Sequence, residues 1–228
     1  MQILIIVLIV CLLVFLFSLH ILAKEDLIFV RKNVTLEVLF NVAFYTMGVG
    51  LLSARIVYIV LHFSFGFLNP LVFFLFPYFP GLSLTGGVVG GAVFVLLYKR
   101  KRFPTGRIFD FFTMALLASL PFGFLGYEIL NSMSDLFTGV LLPIIFFIML
   151  IFFVKVLLPL NIRGEVKDGT LGYLFFVIFS FTTLLAKFVR DKNGFSVLTQ
   201  VDAVLLILLF CGGLVLLFLQ ERDLLPFK

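Results

Sequence analysis

Long apolar runs separated by short polar stretches dominate the chain. Seven of them approach or exceed the roughly 20 apolar residues that a bilayer-spanning helix needs. These blocks cover residues 3–22, 35–63, 81–98, 107–127, 138–160, 170–188 and 199–220. The pattern therefore predicts an all-α, polytopic integral membrane protein with about seven transmembrane helices.

The connections between the blocks are short, so none is long enough to fold independently. We therefore expect residues 1–228 to form a single membrane domain. Residues 63–80 are an unusual connection, because they are apolar and aromatic yet interrupted by Gly66, Pro70, Pro77 and Pro80. Proline removes backbone donors that lipid cannot replace. This stretch is predicted to be either an interfacial or re-entrant segment or a plain apolar loop.

Composition supports a membrane class. Hydrophobic residues make up 63% of the 228 positions and charged residues only 13%, which excludes an ordinary soluble globular domain. The 33 phenylalanines, with no tryptophan, fit lipid-facing helices.

The net charge of +5 is a topology signal rather than a sign of nucleic-acid binding. With the N-terminus outside, 13 Lys and Arg residues fall in inner segments and three in outer segments, while Arg55 lies within a span. The positive-inside rule therefore predicts an outside N-terminus, a cytoplasmic segment at 99–107 and an external one at 63–80. Anionic lipid headgroups are the expected neighbours of the basic segments.

Arg55 is a functional candidate because ionisable groups inside spans are costly. It lies about eight residues, or roughly 12 Å, from the predicted outer end of its span. A guanidinium at that depth suits a phosphate or a carboxylate. The alternatives are snorkelling to the interface or a structural ion pair, for which Glu128 at the outer end of the fourth span is the candidate partner.

Residues 85–91 read TGGVVGG and contain two overlapping pairs of small residues spaced four apart. Such pairs let helices approach through backbone contact. A second interpretation is that the bare backbone of Gly86 and Gly87, near a helix N-terminus, accommodates a phosphate or a lipid headgroup. The run alone is compatible with both.

The sequence gives no reason to expect a metal or a cofactor. His20 and His62 lie at span ends, without a second His, Asp or Cys at ligand spacing. Constellations of the Ser/His/Asp and Cys/His types are likewise absent from the sequence.

Several segments resemble one bacterial membrane-enzyme family. Residues 53–58, 83–90 and 123–127 read SARIVY, SLTGGVVG and GFLGY. They are similar to the Gly-Ala-Arg-Leu-Gly-Tyr, Ser-Phe-His-Gly-Gly-Leu-Ile-Gly and Gly-Arg-Ile-Gly-Asn elements of the prolipoprotein diacylglyceryl transferases. This is a seven-helix inner-membrane family with an outside N-terminus. Asp110, the stretch 188–190 and Gln200 also fit its pattern, so the likeness covers most of the chain from about residue 35.

The resemblance implies a multi-pass transferase of lipoprotein biosynthesis in the bacterial inner (plasma) membrane. The family transfers diacylglycerol from phosphatidylglycerol to the cysteine of a lipoprotein precursor and releases glycerol phosphate. The implied partners are this phospholipid and the precursor's signal peptide, and no nucleic acid. Such chemistry benefits from a base that accepts the thiol proton and from fixed positive charge near the departing phosphate.

The chain departs from the family pattern at its polar centre. Thr85 stands where the family has histidine, Phe124 where it has arginine and Tyr127 where it has asparagine. Further on, Thr183 and Lys187 stand where arginine and glutamate are expected. Threonine cannot act as a base near neutral pH, and phenylalanine cannot hold a phosphate.

The remaining polar groups are the candidates for the functional site. Glu128 is the candidate catalytic base. The phospholipid-binding candidates are Arg55, Gly86, Gly87, Tyr127 and Arg190. Two other functions stay open: a non-catalytic phospholipid-binding or scaffold protein on the same helices, and a small transporter subunit, which would show discontinuous helices meeting at mid-membrane.

Overall fold

The computed structural model describes residues 2–24, 26, 29, 34–62, 81–98, 104–130, 140–190 and 201–221. Almost all of this backbone is helical. The helices, in chain order, are α1 (Gln2–Lys24), α2 (Leu36–Leu61), α3 (Leu84–Leu97), α4 (Thr105–Leu130), α5 (Leu142–Phe152), α6 (Leu158–Ile162), α7 (Thr170–Arg190) and α8 (Val201–Glu221). A π-helical turn, Phe153–Leu157, joins α5 to α6, so residues 142–162 form one continuous helix.

Six of these helices are long and apolar enough to cross a membrane, within the part of the chain that is described. Helix α3 is also apolar but has only 14 residues, or roughly 21 Å, which is shorter than a hydrocarbon layer of about 30 Å. The predicted class, a polytopic α-helical membrane protein, is therefore confirmed, and the count of seven is approximate.

Side-chain caps begin two of the helices. The Thr35 hydroxyl accepts a hydrogen bond from Val38 N (3.4 Å), and the Ser83 hydroxyl accepts one from Gly86 N (3.2 Å). Such caps satisfy amide groups that have no partner within the first helical turn. The cap at Ser83 starts α3 three residues inside the apolar block that was predicted to begin at residue 81.

Helix α4 occupies the centre of the described bundle and is its most buried span. It packs against α1 and, further round, against α3, α5 and α7. Gly126 permits the close approach of α1, because a side chain there would collide with Val7. Fully buried phenylalanines fill the space around α4: Phe109, Phe111, Phe146, Phe153, Phe175 and Phe179. The assignment of phenylalanine to lipid-facing surfaces was therefore wrong for these residues, which form the core.

Helices α2 and α3 pack closely through small residues. A Cβ atom added to Gly90 would collide with Ser53, and one added to Gly86 would lie 2.6 Å from Val57 Cβ. Gly87 has more room, with the nearest side-chain atom, Ala54 Cβ, at 3.4 Å. The glycine run therefore forms the close helix contact that its spacing predicts.

Candidate functional site

Arg55 lies buried near the C-terminal end of α2, with 3% of its surface exposed. Its Nη1 donates a hydrogen bond to the carbonyl of Gly81 (2.8 Å), and the neighbouring Ala54 carbonyl accepts one from Ser83 N (3.1 Å). Gly81 has a φ of +151°, and a side chain there would collide with the Tyr58 ring. Arg55 thus holds the segment that leads into α3, and its role toward a phosphate stays a prediction.

A groove of about 460 Å³ runs between α2 and α3 and is bordered by the first turns of α8. We call it the α2–α3 groove. Its walls are largely aliphatic, with Ser53 and Thr85 supplying the polar side chains and Gly86 and Gly90 supplying bare backbone. Leu205 of α8 also lines the groove. The glycines of α3 therefore both pack against α2 and line an open groove.

Phe124, which the resemblance aligns with the family arginine, lies in an aromatic contact. Its ring stacks on Phe146 of α5, with the centroids 5.3 Å apart and the planes 4° from parallel. Thr85, which the resemblance aligns with the family histidine, is largely buried in the first turn of α3. Phe124 therefore takes part in an apolar ring pair, and its correspondence to the family arginine stays a prediction.

The structure leaves other candidates as predictions. Glu128 is buried near the C-terminal end of α4, with 1% of its surface exposed. Its proposed functions, as a base or as a partner of Arg55, are untested. The side chains of Tyr127 and Arg190, and Gln200 altogether, lie outside the described part of the chain.

Asp110 caps a helix that lies far from it in the sequence. Its Oδ2 accepts a hydrogen bond from Gly169 N (2.7 Å) and its Oδ1 one from Gly172 N (2.9 Å). These amides belong to the start of α7, where backbone donors lack helical partners. Gly172 also admits the Phe109 ring, which a side chain would displace. Asp110, a match to the family pattern, therefore positions α7 against α4.

Arg107 forms a buried ion pair at the same end of the bundle. Its Nε and Nη2 lie 2.9 and 2.8 Å from Asp26 Oδ2, and its Nη1 lies 3.5 Å from Asp168 Oδ1. The count of loop charges under the positive-inside rule included Arg107, whereas the residue lies inside α4 with 2% of its surface exposed. Its charge therefore stabilises the meeting of α1, α4 and the turn before α7.

A comparison with protein-family models identifies the chain. The model described as prolipoprotein diacylglyceryl transferase matches residues 4–219. The chain belongs to the prolipoprotein diacylglyceryl transferase family. Searches of curated proteins and of solved structures each gave no match. The family match confirms the predicted relationship and extends it to α1, upstream of the segments that carried the resemblance.

Family membership gives the bundle a context of lipid and lipoprotein substrates. In that context one further pair of residues is relevant, which the sequence analysis did not select. Lys187 Nζ of α7 lies 3.1 Å from Asp202 Oδ2 of α8. Lys187 is the third residue from the end of its candidate span and Asp202 is the first residue of the next, so the pair lies at the predicted outer end of the bundle.

The described residues of this family member contain no cluster of three or more His, Cys, Asp or Glu side chains that could hold a metal. Cys11 and Cys211 are free thiols, and Cys11 Sγ lies 3.8 Å from the Ser119 carbonyl of α4. Cys11 therefore contributes to the contact between α1 and α4.

Proposed function

We propose that this family member binds phosphatidylglycerol in the bacterial inner membrane, with its N-terminus outside. We further propose that it transfers the diacylglyceryl group to a lipoprotein-precursor cysteine slowly or not at all. The observation that carries the proposal is the stacking of Phe124 on Phe146, since an apolar ring pair cannot stabilise a departing phosphate.

The transfer has two chemical requirements. The precursor's sulfur forms a bond to a glycerol carbon while the bond from that carbon to the phosphate oxygen breaks, and the thiol proton passes to a base. A positioned base commonly accelerates such a step by about 10²–10⁴-fold. A positioned donor for developing charge contributes about 10²–10³-fold. Thr85 and Phe124 supply neither at the family's positions, although the two losses need not multiply.

Binding has better support than turnover. The α2–α3 groove is lined with aliphatic side chains within the spans, as an acyl chain requires. Arg55, Gly86 and Gly87 lie along the same two helices as the groove, and Arg55 supplies fixed positive charge for a phosphate. We therefore expect phospholipid retention to survive better than catalysis and to weaken in Arg55→Ala.

Two variations of this function make different predictions. If Glu128 has taken over as the base, a measurable transfer rate is lost in Glu128→Gln. If the chain is a non-catalytic phospholipid-binding or scaffold protein, no thioether-linked lipid forms in wild type or variant. The packing of Phe124 against Phe146 favours the non-catalytic alternative, because two apolar rings supply no positive charge for a departing phosphate.

The test is a transfer assay with purified protein, phosphatidylglycerol and a precursor peptide, scored for thioether-linked lipid beside an ordinary family enzyme. We expect wild type to be slower by about 10²-fold or more. Thr85→His restores the family's base at a position on the groove and should raise the rate, whereas the size-matched control Thr85→Val should not.

Phe124→Arg adds the cation that the family pattern has, but it also breaks an aromatic contact. The melting temperature of this variant in detergent must therefore be measured together with its transfer rate. A wild-type rate equal to that of the ordinary enzyme contradicts the proposal. So does a folded Thr85→His/Phe124→Arg variant that remains as slow as wild type, because the missing groups would then not be the cause.

A further inference from the structure

Lys155 lies inside a membrane-span candidate with its side chain exposed. The count of loop charges included this residue, whereas the structure places it within the continuous helix of residues 142–162. It lies seven residues before the end of that helix, or roughly 10 Å inside the span. Charged groups at membrane depth are costly and usually face a partner or a water-filled cavity. A lysine at this depth on an exposed surface is therefore suited to a partner in the membrane.

Lys155 continues an exposed apolar stripe along the same helix. Ile144, Ile148 and Ile151 are all exposed. With Lys155 they are spaced four, three and four residues apart, which is the spacing of a seam between two packed helices. Membrane helices pack mostly with this left-handed geometry. A single lysine in such a seam fixes the register of the partner.

The backbone at Lys155 also lacks regular helical bonding. A π-helical turn begins at Phe153, and Leu158 N donates to the Phe153 carbonyl. Pro159 has no N–H, so it can donate neither to the Lys155 carbonyl, four residues before it, nor to the Val154 carbonyl, five residues before it. Both carbonyls therefore lack their usual helical donors. Single π-helical turns are rare and frequently lie at functional sites.

A second copy of this chain does not supply a matching charge. In the part of the chain that the structure describes, the exposed carboxylates are those of Glu37, Glu165 and Asp168. Glu37 is in the first turn of α2, and the other two lie in the turn between α6 and α7. These carboxylates lie at or beyond helix ends, whereas Lys155 lies inside its span. Charge complementarity therefore favours a different protein over a homodimer.

We propose that residues 144–155 form a docking surface for one transmembrane helix of another protein, which carries an Asp or Glu side chain at the depth of Lys155. That carboxylate accepts a hydrogen bond from the Lys155 ammonium. Apolar side chains of the partner pack along Ile144, Ile148 and Ile151. None of these residues lines the α2–α3 groove, so the surface does not rest on the proposed lipid function.

A designed helix tests the surface. The purified full chain is reconstituted in phosphatidylcholine vesicles with a Leu/Ala transmembrane peptide that carries one Glu roughly 10 Å from one end. A matched peptide carries Leu at that position. Fluorescence energy transfer between labelled protein and labelled peptide measures association. We expect the Glu peptide to bind about tenfold more tightly, the effect of one good polar contact between membrane helices.

Variants of Lys155 assign the preference to its charge. Lys155→Leu should abolish the preference for the Glu peptide and leave the melting temperature in detergent unchanged, because the side chain is exposed. Lys155→Glu should reverse it and favour a peptide that carries Lys at the same position. Equal binding of the Glu and Leu peptides to wild type overturns the proposal, as does a preference that persists in Lys155→Leu.

A third peptide tests the depth of the contact. A lysine stem can extend along apolar surface and bring its ammonium group to the lipid headgroups. In that case a peptide with Glu at its very end binds as well as the peptide with Glu inside the span. The proposal predicts weaker binding of the end-placed Glu, and equal binding of the two overturns it.

Disulfide formation tests the location of the contact. In a Cys11→Ala/Cys211→Ala background, Ile148→Cys should form a disulfide with a cysteine at the facing position of the Glu peptide. Leu208→Cys is the matched control, because Leu208 is also exposed and, like Ile148, lies six residues after the start of its span candidate. Equal yields at the two positions overturn the proposal. The vesicles contain no phosphatidylglycerol, so these outcomes are independent of lipid binding and transfer.

Discussion

The two ends of the bundle use charged residues in different ways. At the predicted cytoplasmic end, Arg107 is buried and pairs with Asp26 and Asp168, and both oxygens of Asp110 accept backbone hydrogen bonds. At the predicted outer end, the side chains of Lys187 and Asp202 form an ion pair and remain 33% and 32% exposed. Removing one partner of a buried pair is strongly destabilising, whereas a partly exposed pair is screened by its surroundings and contributes less.

The C-terminal end of α8 is bonded to the fold at this predicted cytoplasmic end. Lys167 Nζ donates to the Gln220 carbonyl (2.7 Å), and Gln220 Nε2 donates to the Asp168 carbonyl (3.0 Å). A cation beside the last carbonyls of a helix is favourable because those groups carry partial negative charge. The short turn before α7 therefore connects α4, α7 and α8.

The largest expected effect is at Arg107. Arg107→Met leaves the buried Asp26 carboxylate without this guanidinium and should destabilise the protein by about 3–5 kcal/mol, as the loss of one member of a buried pair commonly does. Thermal unfolding in detergent measures the change. The double variant Arg107→Met/Asp26→Asn removes both charges and should recover part of the loss. A single variant as stable as wild type would mean that the two ends of the bundle do not differ.

Asp110 should give the next largest effect. Asp110→Ala removes the acceptor for two amides at the start of α7 and should cost about 1–3 kcal/mol, the range for leaving buried donors unsatisfied. Asp110→Asn keeps one acceptor oxygen and is the matched control, with a smaller loss. Hydrogen exchange at residues 169–172 should rise in Asp110→Ala. Unchanged protection there would show that the cap contributes little.

The glycines of α3 offer a smaller and more selective effect. Gly90→Ala collides with Ser53 and should destabilise by about 1 kcal/mol or more, at the lower end of typical overpacking costs. Gly87→Ala meets only an ordinary contact with Ala54 at 3.4 Å and should change stability less, although Gly87→Leu should still separate the helices. Gly212→Ala, with no atom within 4 Å, is the neutral control. Equal melting temperatures for all the alanine variants would argue against close α2–α3 packing.

The membrane topology can be tested with cysteine substitutions that should change stability little. The positive-inside rule predicts that residues 99–107 are cytoplasmic and residues 63–80 external. Lys101→Cys should therefore resist an impermeant thiol reagent in intact cells, whereas Lys192→Cys should be labelled. The reverse result would exchange the two ends and place the Lys187–Asp202 pair on the cytoplasmic side.

The sequence by itself determined the class and the family. Span length and hydropathy are local properties imposed by the bilayer, so the blocks agree with the helices to within a few residues, α3 included. The small-residue spacing of residues 85–91 predicted a close helix contact for the same local reason. The family motifs are also local strings, which is why they were recognisable even though Thr85, Phe124 and Tyr127 differ from the pattern.

Only the tertiary structure decided what the charged and aromatic residues do. Asp110 finds its amide partners 59 and 62 residues away, and Arg107 finds Asp26 at a distance of 81 residues. Residues so far apart meet through the packing of whole helices, which periodicity along one segment does not specify. The same holds for the contact of Phe124 with Phe146 and for the groove between α2 and α3. The sequence marks which residues are costly in a membrane, and the packing determines whether each one is buried among partners or left partly exposed.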